Sequence, residues 1–124
     1  MLVLETLWQK VGKDGVFIIV ETGTPKGFRF IHDVRRWILT KDRSEATILA
    51  PCPHHEKCPL SNRNSWCHFD QPIASYPKEI FPKLPKEDTI FYEKYCFLVV
   101  KKGKCIVFAQ TIVSLCLKKK KFFD

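Results

Sequence analysis

No window of this 124-residue chain reaches roughly 18 consecutive apolar residues, so the sequence predicts no membrane-spanning helix. The first residues also lack a basic stretch ahead of an apolar run, and there is no Arg- and Ser-rich, acid-poor leader. Neither a secretory signal nor an organelle address is visible from Met1 onward. Six cysteines are present, yet without a visible route to an oxidising compartment a framework of three disulfides has no support. Acidic side chains are short as well, 13 against 21 Lys and Arg, for a net charge of +8. The imbalance is uneven: residues 1–50 hold 8 basic and 6 acidic groups, residues 51–90 hold 5 and 5, and residues 91–124 hold 8 and 2. Four of the surplus charges are the run Lys118, Lys119, Lys120 and Lys121, whose plain reading is a solvated tail and whose sharper reading is a phosphate-binding one. No internal repeat is present. A hydrophobic content of 45% suffices for the core of one domain. The opening MLVLETLWQK is already an amphipathic helix pattern, which reads as a start in mid-fold.

Helical and extended patterns alternate through the first half. Leu4, Leu7, Trp8 and Val11 recur at spacings of three and four, predicting a short helix with one buried face that ends near Gly12. After a turn at Asp14-Gly15, Val16 to Val20 run without a polar residue. Such a β-branched run predicts a strand covered on both faces, as in a parallel sheet. Thr24 then suits an N-cap and Pro25 the first helical position, where its missing N–H would have no partner anyway. Phe30, Ile31, Val34, Trp37 and Ile38 define one apolar helix face, with Arg29, Asp33 and Arg36 turned away. Helix, strand and helix in succession imply an α/β architecture with crossover connections. Ile48 and Leu49 suggest a short extended piece. Seven of the eight prolines fall between Pro51 and Pro85, so little regular structure is expected there before a strand over residues 90–102. This middle region reads as an insertion rather than a linker, because Trp66, Phe69, Tyr76 and Phe81 need burial.

The chemistry concentrates in 50-APCPHHEKCPLSNRNSWCHF-69. Cys52, Cys58 and Cys67 follow a C-x5-C-x8-C pattern, with His54, His55 and His68 close by. Thiolates favour zinc and iron-sulfur clusters, and proline-stiffened loops lose less entropy when their ligands converge. Structural zinc usually takes a tighter C-x2-4-C knuckle, which weakens zinc but leaves a Cys3His site open. A cluster is larger than one ion and can be grasped by more widely spaced loops. Three thiols exceed what a Cys-His nucleophile requires. The bland reading of His54 and His55 is that they face solvent. On residue types alone the segment is a metal site, with zinc and iron-sulfur both open. Lys57 and Arg63, beside the cysteines, are ordinary surface charges or groups that offset cluster charge or meet phosphate.

The ordered pieces LW, DGVFIIVETGTPKGFRFIHDVRRWIL, ILAPCPHHEKCPL, WCHFDQ and EKYCFLVVKKG resemble the mitochondrial small-ribosomal-subunit methyltransferase-like family over roughly residues 7–103. The most specific are ETGTPKGF, APCPH with CPL, and WCHF with Gln71. The resemblance implies an α/β fold, a partial Rossmann-like, methyltransferase-type sheet with a Cys/Pro-rich metal-binding insertion. It divides the chain into a helix-strand-helix part over 1–50, the insertion over 51–89, a returning strand over 90–103 and a divergent basic tail over 104–124. It also implies that Cys52, Cys58 and Cys67 are ligands of a [4Fe-4S] cluster, with zinc as the alternative, and that a fourth cysteine lies further along the chain. Cys116 in IVSLC is read as that ligand, since an apolar strand-like run precedes it. Cys105 and Cys96 compete, and Cys96 sits where alternation puts a packed side chain. The implied role is in mitochondrial translation, on the small ribosomal subunit and its rRNA, with no membrane and no small-molecule substrate. S-adenosylmethionine belongs only to full-length relatives. The Gly-rich turn through which a methyltransferase backbone approaches that cofactor is absent here, and Glu21 instead stands at the carboxyl end of what resembles a central strand.

Overall fold

A computed structural model describes residues 2–73 and 91–104. Among these residues two helices and four strands form, in the order α1 (Leu2–Lys10), β1 (Val16–Thr22), α2 (Pro25–Lys41), β2 (Ala46–Ala50), β3 (Phe69–Ile73) and β4 (Phe91–Lys102). Among the described residues no helix is long and apolar enough to cross a membrane.

The start of α2 follows from its sequence. The Thr24 hydroxyl accepts the Gly27 N–H at 3.1 Å, capping one of the amides that a first turn leaves unpaired, and Pro25 follows inside the helix. The helix ends where the Asp42 N–H donates to the Ile38 carbonyl at 2.8 Å. Its buried stripe is Ile31, Val34 and Ile38. Phe30 and Trp37, expected on the same face, lie at its margins: Phe30 stays 40% exposed, and Trp37 is half-buried with the Lys41 ammonium 5.3 Å from its ring centre. α1 departs in the same way. Trp8 is buried and Leu4 and Val11 half-buried, but Leu7 remains 45% exposed, because so short a helix meets the rest of the molecule along a narrow line.

β4 is the centre of the sheet. β1 pairs antiparallel with it from Val16 opposite Lys101 to Thr22 opposite Tyr95. β2 is also antiparallel to β4, from Ala46 opposite Lys102 to Ala50 opposite Val99, with a register shift between Ile48 and Ala50. β1 and β2 therefore run in one direction, flank β4 and are joined by α2. β3 pairs with the first part of β4, from Phe69 opposite Tyr95 to Ile73 opposite Phe91. Since Tyr95 already faces Thr22 on one side, β3 must lie on the other, in line with β2.

The sheet corrects two expectations. β1 is covered on one face only, and its strand neighbour is antiparallel. Phe17, Ile19 and Glu21 point inward, while Val16, Ile18 and Val20 are 51%, 62% and 62% exposed. An apolar run without alternation cannot reveal which face is covered, and both helices pack on the Phe17 side. β3 was not expected either, because Asp70, Gln71 and Pro72 read as loop. Pro72 is accommodated because, among the described residues, β3 pairs with β4 alone, so that a missing N–H need not break a ladder on both sides.

The core joins Trp8, Ile31, Val34, Ile38, Ala46, Ile48, Cys96, Leu98 and Val100. Trp8 ties three elements together. Its ring meets Phe17 edge-on with centres 6.0 Å apart, its indole N–H donates to the Asp42 carboxylate that caps α2, and Lys102 at the end of β4 donates to its carbonyl at 3.0 Å.

Candidate metal centre

Along one edge of β4, β2 covers Val99 to Lys102 and β3 covers Phe91 to Tyr95. Between them the ladder is interrupted over Cys96, Phe97 and Leu98, and residues 51–68, which carry the cysteine motif, leave and rejoin the sheet across this gap. Local turns shape the excursion. The His54 amide donates to the Cys52 carbonyl at 2.8 Å, and both the amide and the hydroxyl of Ser61 donate to the Cys58 carbonyl, at 3.1 and 2.7 Å.

Arg35 and Trp66 are long-range anchors for it. At the near end, Arg35 of α2 donates through Nη2 to the carbonyls of His54 at 2.6 Å and Glu56 at 2.9 Å. At the far end, the Trp66 indole N–H donates to the Gly23 carbonyl at 3.0 Å. Gly23 belongs to the ETGTPKGF motif and sits tight against β4: its own N–H donates to the Lys94 carbonyl at 2.8 Å, and a Cβ there would fall 2.6 Å from the Lys94 carbonyl carbon. The glycine therefore serves backbone approach between β1 and β4.

The anchored segment and α2 enclose a cavity of about 480 Å³. Cys52, Cys58 and Cys67 all line it, together with Cys96 and Arg35, and its apolar wall includes Phe28, Ile31 and Leu60. Among the described residues no three His, Cys, Asp or Glu side chains are gathered tightly enough to hold a single metal ion. The cysteines share a cavity rather than a point. None of these four cysteines forms a disulfide, so the disulfide alternative has no pair among the described residues. Burial pushes the Cys67 thiol up, and the neighbouring Cys52, Cys58 and Cys96 push it further, since like charges resist ionising together. Arg35 is pulled down by burial, an effect opposed by the negative charge that Cys52 and Cys58 can carry.

The histidines divide by geometry. His54 Nδ1 accepts the Glu56 amide N–H at 3.1 Å, so that nitrogen carries no proton and a neutral ring carries it on Nε2, leaving no lone pair there for a metal. Among the described residues His68, beside Cys67, keeps a buried Nδ1 with no hydrogen-bond partner, as does Arg35 at Nε. His55 faces a second groove of about 530 Å³, where Arg35, Arg36, Arg43 and Lys57 gather with His32. Arg36 is bound to Asp33 at 2.9 Å.

Cys116 and Cys105 lie outside the described residues, as do Lys118 to Lys121. Cys96 is packed as its alternation implied, 3% exposed with its thiol donating to the Thr22 carbonyl at 3.3 Å, yet it also lines the cysteine cavity. Sequence reading passed over Arg35 and the anchoring role of Trp66. A signal for Arg35 existed: it stands four residues after Ile31 and next to Val34, at the border of the apolar stripe, where a long side chain reaches sideways over the helix.

The protein-family profile described as mitochondrial small ribosomal subunit Rsm22 matches residues 1–122. The chain belongs to the Rsm22 family. Two relatives in Schizosaccharomyces pombe, Rsm22-cox11 tandem protein 1 and Rsm22-cox11 tandem protein 2, both mitochondrial, are each 29% identical over 113 aligned residues. The alignment takes in 81% of this chain and 15% of theirs, so the chain spans a small part of the length of these curated relatives. Rsm22 membership and the mitochondrial relatives agree on a mitochondrial location for the chain.

Proposed function

We propose that this chain is a metal-stabilised element of a factor for assembly of, or translation by, the mitochondrial small ribosomal subunit, in which Cys52, Cys58 and Cys67 hold a [4Fe-4S] cluster and the neighbouring basic groove meets rRNA. The observation that carries this reading is the cavity itself: three thiols separated by five and eight intervening residues in sequence border one space of about 480 Å³. The residues fit such a group. Thiolates are its usual ligands, the buried Arg35 Nε and His68 Nδ1 are polar atoms in want of a partner beside the motif, and a shared cavity suits a polynuclear group better than a lone ion. When bound, the cluster would supply a covalent cross-link between segments that otherwise meet through a few hydrogen bonds. The fourth thiolate is Cys116, or else Cys96, which borders the same cavity.

Two strands running in one direction and joined by a helix form a βαβ-like unit with β4 inserted between them, which supports the partial Rossmann-like reading and its Cys/Pro-rich insertion over 51–89. The rRNA part rests on Arg43 and Lys57 lining the second groove beside the motif.

Anaerobic purification tests the metal. Brown protein with charge-transfer absorbance and matching iron and sulfide supports the cluster, whereas a colourless chain with equimolar zinc replaces it with the zinc alternative. Serine substitutions at Cys96 and Cys116 assign the fourth ligand by which of them loses iron. Cosedimentation with mitochondrial small subunits should weaken as salt rises, and Arg43→Ala should reduce the salt slope by about 0.7–0.9 if that side chain neutralises one phosphate.

A further inference from the structure

We propose that Arg35 is the positioning and charge-balancing residue of the cysteine cage: Nη2 holds the loop by its carbonyls, and the Nε–H is left for sulfur. The inference rests on the metal reading above. Of the donors on this guanidinium, Nη2 is engaged by His54 and Glu56, while Nε is buried and has no partner among the described residues. A buried guanidinium N–H ordinarily finds an acceptor. Among the described residues no carboxylate lines the cysteine cavity, so thiolate sulfur is the anionic chemistry they offer there.

The placement is rigid at its root. Arg35 follows Val34, which is 1% exposed, and stands four residues after Ile31, which is 6% exposed, so the helix backbone beneath it is packed against the sheet. Its reach is also direct, because the carbonyls it holds belong to the run between Cys52 and Cys58. A single side chain thereby sets the course of that run and brings a positive charge to its sulfurs. Thiolates gathered in a half-buried space repel one another, and a cation with a hydrogen bond to offer offsets that repulsion. Hydrogen bonds to sulfur and net charge are also the levers by which a protein tunes an iron-sulfur potential.

The test compares the full wild-type chain, reconstituted anaerobically, with Arg35→Gln, Arg35→Lys and, as a control for an exposed charge away from the cysteine cavity, Arg29→Gln. In a cluster-loaded chain, Arg35→Gln is expected to shift the reduction potential negative by at least about 59 mV, a tenfold change for one electron. Arg35→Lys, which keeps the charge but lacks Nε, should shift it less, and Arg29→Gln least. If Arg35→Gln lowers only the melting temperature and leaves the potential of the loaded fraction unchanged, Arg35 is a loop anchor alone and the proposal is overturned. If the wild type takes zinc instead, the iron-sulfur reading fails by itself, and chelator competition then decides. A 10–100-fold weaker zinc affinity in Arg35→Gln supports the cage role, and an unchanged affinity overturns it. A wild type that holds neither metal overturns both readings.

Discussion

Single residues govern how this molecule responds to acid. Burial holds His32 and His55 below their ordinary value of 6.5; Arg36, Arg35 and Lys57 add to the effect at His32 against the pull of Asp33, and Arg43 and Arg35 add to it at His55. A depressed imidazole binds its proton less readily in the folded chain than in the unfolded one. Stability is therefore retained above about 6.5, falls as the pH drops below that value, and levels off once the folded-state values are passed. Urea unfolding followed from about pH 8 to about pH 5 should show this decline. The double variant His32→Gln/His55→Gln should flatten it, and an equally steep decline in that variant would remove these two rings as the cause.

At the scale of elements, two junctions carry most of the consequence. The first joins β1, α2 and β4 at Gly23, where no side chain fits. Gly23→Ala forces a methyl group against the Lys94 backbone and should destabilise the chain by about 1–3 kcal/mol, while also displacing the carbonyl that receives Trp66. A loosened Trp66 should be visible as a change in tryptophan emission, though Trp8 and Trp37 contribute and a Trp66→Phe reference is needed. The second junction is Trp8, buried between α1, the end of α2 and the end of β4. Trp8→Ala should cost about 3–5 kcal/mol in urea unfolding. Trp8→Phe keeps much of the apolar contact but loses the N–H donated to Asp42, and its smaller loss should be about 1 kcal/mol. Equal losses in the two variants would mean that the hydrogen bond, not the packing, holds α1.

For the molecule as a whole, the balance between core and excursion is the main issue. The described core lies on one face of the sheet, and Val16, Ile18 and Val20 on the other face stay largely exposed. Residues 51–68 add little regular structure and hold on through Arg35 and Trp66. A bound metal would therefore supply a large share of the stability, since structural sites in small metal-dependent domains contribute about 10 kcal/mol or more of apparent binding free energy. Removing metal under reducing, anaerobic conditions should lower and broaden the melting transition. The same treatment should do nothing further to a Cys52→Ser/Cys58→Ser variant. A sharp, chelator-insensitive transition in the wild type would sink the idea that metal holds this region together.

Thr24 and Pro25 determine the start of α2, the Ile31-Val34-Ile38 spacing determines its buried stripe, and both can be read directly because they act between residues close in the chain. The returning strand over Phe91–Lys102 and the short strand ending at Ala50 are legible for the same reason. Residue type alone also marks Cys52, Cys58 and Cys67 as candidate soft ligands, and the structure places all three on one cavity. Tertiary structure decided the rest: that β1 pairs antiparallel and is bare on one face, that Phe69–Ile73 forms a strand at all, and that Arg35 and Cys96 border the cysteine cavity. Each of these depends on β4 pairing with strands some twenty to eighty residues away along the chain, and local periodicity contains no information about a partner that distant.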